Sequence, residues 1–301
     1  MARSQDLNAS ASAGLLRRRR TGVFDNIIRL LTTKPLGAFG AVVVTGMALL
    51  AIATPLVAPF DPLEAHFADR FKGPSATYLL GTDNFGRDLL SRIIWGARVS
   101  LLVGFGAVAL GHTVGAVLGV ISGYAGGKVD ILFQRFVDAM MAFPRLIMAL
   151  AIVAVMGPSI LNVILAIAIV DLPRTARILR ASGLVIKQTQ YVEAAVAVGA
   201  SPLRIIVMHV MPNCLAPYLI VATAGLGQAI VVEASLSFLG LGIPPPLPSW
   251  GGMLSGVGRE YLQQAPWIAI FPGVAISLTV YGFNLLGDAI RDVWDPRLRK
   301  A

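Results

Sequence analysis

Long apolar runs recur along this chain, and they decide what it can fold into. Residues 36–59 carry no acidic or basic side chain. About 20 apolar residues in a helix match the ~30 Å hydrocarbon core of a bilayer. Further runs cover residues 99–124, 130–156, 160–172 (extending to Ala176), 214–239 and 267–286. Inside lipid every backbone polar group must be satisfied internally, which leaves helices or closed barrels. Runs of this length read as helices, so the expected fold is an all-α membrane protein with six transmembrane helices. Composition agrees: 56% of the 301 residues are hydrophobic and 14% are charged, against about 25% charged in soluble domains.

The net charge of +9 raises nucleic-acid binding as a reading, but the basic residues lie in short loops and tails between apolar runs. Their distribution is better explained as a topology signal. With six spans both ends fall on one side. That side carries the basic residues up to Lys34, including the Arg17–Arg20 block, together with Lys128, the stretch from Arg174 to Arg204, and Arg291 to Lys300. The other side has Arg70, Lys72, Arg87, Arg92 and Arg259, diluted by six acids. The asymmetry puts both termini in the cytoplasm. A short interfacial helix is expected at residues 24–31. The apolar run after it is too long for a cleavable signal peptide. The single cysteine, Cys214, excludes an internal disulfide and reads as a small buried apolar residue.

Glycines 104, 106, 111, 115 and 119 in the second run would let a neighbouring helix approach closely. Several charges interrupt the apolar runs. Pro144 should kink the third run just before Arg145. Arg135 and Asp138 are spaced to pair on a helix face, and so are Asp171 and Arg174. Asp130 and Arg135 read as the edge of the membrane, with the arginine snorkelling. Arg174, Arg177 and Arg180 recur every third residue and form a basic face for anionic lipid or a partner protein. His112 and Glu233 lie inside spans and are candidates for a transport pathway. Each has a competing reading: His112 as a hydrogen-bonded packing residue, Glu233 as a structural acid capped by Ser235 and Ser237. Gly225 and Gly227 would loosen the fifth span. Trp250 suits a membrane–water interface.

Residues 191–213 are too polar to cross a bilayer and too patterned for a slack loop. Glu193-Ala194-Ala195 forms a short helical run broken at Gly199. Ser201 is a plausible N-cap, with Pro202 at the first position of a second helix that ends at Pro212. Small residues and one acid on an exposed helix read as a docking piece; an ordinary connecting loop is the alternative. Upstream, in the run Leu80-Gly81-Thr82-Asp83-Asn84-Phe85-Gly86-Arg87-Asp88-Leu89-Leu90-Ser91-Arg92, Asp83 would pair with Arg87 and Asp88 with Arg92, making a charge-stitched element on the outer surface.

Both stretches carry a family resemblance. Glu193-Ala194-Ala195, Gly199 and His209-Val210-Met211-Pro212 resemble the EAA loop of bacterial ABC importer permeases, with His209 and Met211 where isoleucine and leucine are usual. The histidine–proline ending and the 80–92 run resemble the C-type permeases of the dipeptide, oligopeptide and nickel group. The Leu239–Gly251 loop and the Asp288–Arg299 ending are similar to the same group. The resemblance covers roughly residues 35–299. It implies a type I ABC importer permease fold with cytoplasmic coupling helices, divided into a cytoplasmic tail and interfacial helix (1–35), a first span and periplasmic loop (36–97), a five-helix transport domain (98–288) with its EAA loop at about 191–213, and a cytoplasmic tail (289–301).

It further implies a second, different permease as heterodimer partner, two ATPase subunits that hold ATP and magnesium, a periplasmic solute-binding protein, contact with membrane lipid and no nucleic acid. Glu193, Ala194, Ala195 and Gly199 would dock the ATPase. This chain would bind no cofactor or metal and catalyse no reaction: it has no GxxxxGK[ST] phosphate loop, and no Ser/His/Asp set or metal cluster stands out. Peptides are the implied substrate, with nickel chelates, glutathione and oligosaccharides carried by closely similar permeases. A channel or an ion-coupled secondary transporter is the competing class, for which Glu233 and His112 are the only sequence support.

Overall fold

The computed structural model describes residues 34–256 and 260–294. The expected interfacial helix at 24–31, the Arg17–Arg20 block and the end of the basic tail lie outside these residues. Among the described residues the regular structure is helical. A lone β-bridge joins Thr82 to Asp88. In chain order the helices are α1 (Pro35–Ile52), α2 (Thr54–Val57), α3 (Leu89–Ala125), α4 (Gly127–Met141), α5 (Arg145–Met156), α6 (Ile160–Lys187), α7 (Gln190–Ala197), α8 (Pro202–Ile205), α9 (Leu215–Phe238), α10 (Trp250–Leu254) and α11 (Trp267–Trp294).

Four helical segments are long and apolar enough to cross a membrane: α1, α3, residues 202–238 and most of α11. The pair α4 and α5 gives a fifth if it is taken as one broken span. Six were expected. The shortfall is α6, where Asp171, Arg174 and Arg177 follow one another too closely for an apolar window of full length. The α4–α5 break is the kink expected at Pro144, and the two helices meet at 89°. Proline cannot donate a backbone hydrogen bond and its ring disfavours helix in the residue before it.

Local chemistry sets the other boundaries. Asp88 caps α3, its carboxylate accepting from the Ser91 backbone N–H (2.7 Å) and hydroxyl (2.6 Å). The helix therefore starts well before residue 99 and runs for 37 residues, about 55 Å at 1.5 Å per residue. The Asp88–Arg92 pair does not form, because the cap occupies the acid. Arg92 instead donates to the Pro62 carbonyl (2.9 Å) and lies 3.5 Å from Asp83, which also takes Arg87 at 2.7 Å. Two arginines on one carboxylate thus close the loop between α2 and α3, and Trp267 anchors it to α11 by donating to the Thr82 carbonyl (3.1 Å).

The core is organised on the contact between α3 and α6, which run parallel. Gly111, Gly115, Gly119 and Gly123 face residues 168, 172, 176 and 180, so a glycine on one helix meets backbone of the other at every fourth position. A side chain at Gly119 would stand 2.2 Å from the Ala176 carbonyl oxygen. This is the close approach the glycine spacing called for, realised in register. Gly225 and Gly227 serve packing too, against His112 and Asn284, and α9 stays helical through both. Trp250 is wholly buried, which overturns its expected place at a membrane interface. Its indole N–H donates to the Ile93 carbonyl (3.0 Å) and its ring lies on Gly96, so α10 is wedged between α3 and α9.

The α6 arginines face a neighbouring helix. Arg180 donates to Asp130 (2.6 Å), which also accepts from the Ser122 hydroxyl (2.6 Å), and Arg177 pairs with Asp138. Asp130 is buried as an interhelical ion-pair partner. Arg135 stays exposed and reaches Asp138 only at 4.0 Å. Asp171 pairs with Arg145 of α5, not with Arg174 in its own helix.

Candidate functional site

Two features stand out at the α7 end of the bundle. The first is a knuckle. At the close of α6, Lys187 donates to the Tyr124 carbonyl at the end of α3 (2.6 Å), tying the two helix ends together. Then α7 begins, and Gly199 ends it with φ +78° while the Ala200 N–H reaches back to the Ala195 carbonyl (3.0 Å). That is the glycine stop of a Schellman motif, in a backbone region most side chains avoid. Ser201 caps α8 by accepting from the Arg204 N–H, with Pro202 at the first helical position, as the spacing required.

The knuckle has a buried side and an open one. Val192 of α7, Ile205 of α8 and Val210 are buried in one cluster with Val120 of α3 and Leu179 of α6. The opposite side exposes Glu193, Ala194 and Gly199, whereas Ala195 is half-buried against that cluster. Around them are exposed Tyr191, Val196, Val198 (84%) and Leu203 (72%). Glu193 has no ion-pair partner among the described residues. Three of the four sequence-identified residues are therefore exposed on one turn.

Pro212 does not end the second helix. The chain widens into a π-helical stretch at Ile206–Val210 and tightens to 3₁₀ at Met211–Cys214, and the helix continues through residue 238. The Met211 N–H bonds five residues back to Ile206, which absorbs the register change around a residue that cannot donate. The Asn213 side-chain amide donates to the His209 carbonyl (2.7 Å).

The second feature is a cavity of about 430 Å³ walled by α3, α5, α6, α9 and α11. Its polar lining is His112, Arg145, Asp171, Arg174, Gln228, Asn284 and Arg291. Arg145 is held by Asp171 (2.5 Å) and donates to the Gln228 side chain (3.2 Å). His112 is buried against Gly225, where a Cβ would stand 2.3 Å from Nε2. Its Nδ1 has no hydrogen-bond partner, and neither does the buried Arg145 Nε. The histidine thus lines the cavity and lacks the bonds that a satisfied packing residue would have.

Glu233 is elsewhere. It is fully buried and outside the cavity lining, with its carboxylate accepting from Ser100 (2.9 Å) and Ser237 (2.8 Å). Ser237 is one of the two serines expected to cap it; Ser235 instead donates to the Val231 carbonyl. Sequence reasoning placed Arg145, Asp171 and Arg174 inside or at the edge of spans, counted Arg291 only as part of a basic tail, and gave Gln228 and Asn284 no role at a site. Their signal was a lone amide midway along the fifth apolar segment, Gln228, and two polar residues toward the end of the sixth, Asn284 and Arg291. Among the described residues no three His, Cys, Asp or Glu side chains converge as a metal site.

Residues 115–300 match the family described as binding-protein-dependent transport system inner membrane component. The dipeptide transport system permease protein DppC of Alkalihalophilus pseudofirmus is 44% identical over 89% of this chain and 88% of its own length. The di/tripeptide transport system permease protein DppC of Pseudomonas aeruginosa is 43% identical over 83% of this chain and 84% of its own. The glutathione transport system permease protein GsiD of Pectobacterium atrosepticum is 42% identical, with coverage of 83% and 84%.

Proposed function

Because the chain belongs to the family of binding-protein-dependent transport system inner membrane components, we propose that it forms half of the membrane path of an ATP-driven peptide importer. Its six spans place both termini and the knuckle in the cytoplasm, with α6 as the span whose charges are sheltered by neighbouring helices. A second, different permease supplies the other half of the path. Two ATPase subunits hold ATP and magnesium, and a solute-binding protein delivers substrate from the opposite side. This chain carries out no chemistry of its own.

One observation carries the reading. The helices that anchor the knuckle also wall the cavity. Val192 and Ile205 are packed on Val120 of α3 and Leu179 of α6, and the same two helices supply His112, Asp171 and Arg174 to the cavity. A displacement of the exposed turn by a partner protein is passed through close-packed side chains, which resist compression. The glycine ladder makes α3 and α6 move together. Nucleotide-driven closure of the ATPases then biases the bundle between two states, one opening the cavity to each side of the membrane. Glu193, Ala194, Ala195 and Gly199 form the contact: small residues allow close approach and the unpaired acid sets orientation.

Peptides are favoured as substrate because relatives over 80% or more of both chains carry dipeptide and di/tripeptide names. Glutathione, itself a tripeptide, is the second reading, and a relative of similar coverage carries its name. The test is ATP-dependent uptake in proteoliposomes with the partner subunits and cognate binding protein, using a panel of di- and tripeptides and glutathione. Uptake without ATPase subunits would sink the importer reading in favour of a channel or secondary transporter.

A further inference from the structure

We propose that the cavity between α3, α5, α6, α9 and α11 is a carboxylate-binding station for the peptide in transit, with Arg174 and His112 as the groups that hold it. The proposal rests on the importer reading above and adds the chemistry of its inner site.

Three guanidiniums line the cavity against one carboxylate. Asp171 is already engaged by Arg145, so it does not neutralise Arg174 or Arg291. Arg174 is exposed and has no acidic partner among the described residues. Its neighbours on α6 at 177 and 180 are both consumed by α4 acids, which sets Arg174 apart from a general basic face. Arg174 and Arg291 line the cavity and are exposed, so an incoming anion can reach both.

The buried nitrogens of the wall point the same way. His112 Nδ1 and Arg145 Nε are both buried and both without partners, although buried polar atoms normally find one. Gly225 leaves the imidazole no room to swing toward α9. Gln228 and Asn284 add amides to the wall. A planar carboxylate suits this set: it accepts several hydrogen bonds, and guanidinium binds it in a fork. At about 430 Å³ the space is in the range of small-molecule sites.

The experiment uses this permease with its partner permease and ATPases, purified together in phosphatidylcholine nanodiscs without the binding protein. Radiolabelled alanyl-alanine and its C-terminal amide are the probes. The acid should bind at least ~tenfold more tightly than the amide, as expected for a charge-assisted hydrogen bond. Arg174→Gln should erase that preference, Arg174→Lys should restore part of it, and His112→Gln should weaken the acid while sparing the amide. Equal binding of acid and amide overturns the proposal, as does an unchanged preference in Arg174→Gln. So does displacement of the acid by added phosphatidylglycerol, which would assign the cavity to lipid headgroups. Wild-type uptake with the binding protein is measured in parallel. Uptake without acid-selective binding rejects this site alone, whereas no ATP-driven peptide uptake rejects the importer reading and this assignment with it.

Discussion

Gly119 of α3 sits so close to Ala176 of α6 that a Cβ would lie 2.2 Å from the Ala176 carbonyl oxygen. The obstacle is backbone, which cannot rotate away. Gly119→Val should therefore separate the two helices, at a cost of ~1–3 kcal/mol or more, and lower the amount of folded protein in the membrane. Gly46→Ala, in α1 with nothing within 4 Å, should leave it unchanged. Detergent thermal-stability curves on the two variants check the difference.

At the knuckle, Glu193→Lys should accumulate to wild-type level, because the side chain is exposed and unpaired. It should weaken recovery of the ATPase by about tenfold, equivalent to ~1.4 kcal/mol of contact energy. Gly199→Val adds strain at φ +78° of ~1–3 kcal/mol and should loosen the turn itself. Pull-down from membranes, quantified for permease and ATPase together, reads both effects. Full ATPase recovery with Glu193→Lys would end the docking assignment.

The Asp130–Arg180 pair joins α4 to α6 beside the buried Ser122 hydroxyl. Asp130→Asn and Arg180→Gln should each destabilise, and the double variant should lose less than their sum. The expected coupling is ~0.5–3 kcal/mol, as for residues in one network. Unfolding in mixed micelles measures it. An additive double variant would mean that the contact contributes nothing of its own.

Much of this arrangement was legible from local sequence. Ser201, Pro202 and Gly199 bracket their turn by short-range backbone chemistry, and Pro144 breaks its helix for the same reason. The glycine stripe on α3 announced a close neighbour, though not which helix it would be. What stayed hidden depends on residues far apart in the chain. Arg145 finds Asp171 across two helices, and Arg92 turns to Asp83 and Pro62 because Asp88 is taken by its own helix cap. Trp250 looked like an interfacial residue until Gly96 and the Ile93 carbonyl supplied a slot inside the bundle. Spacing within one segment cannot reveal such partners.

The loop between α2 and α3 carries a pH-dependent contact. Lys72 and then Tyr78 bond to the Asp69 carboxylate and hold its pKa below the ordinary 3.8. A lowered acid pKa favours the folded loop above 3.8, and that contribution disappears as pH falls through the lower folded value. Amide hydrogen exchange, corrected for the intrinsic rate at each pH, should accordingly find residues 60–88 protected at pH 5 and less protected below 3.8. Asp69→Asn should remove that pH step.

The uninterrupted helix from residue 202 to 238 makes the exposed turn and the fifth span a single rod, with no joint of loop between handle and shaft. Its one irregular stretch, the widened coil at residues 206–210 tightening at 211–214, lies where the rod leaves the knuckle. Gly225 and Gln228 lie on this same rod, against His112 and Arg145, so on the importer reading proposed above a turn of the handle would be a turn of the cavity wall.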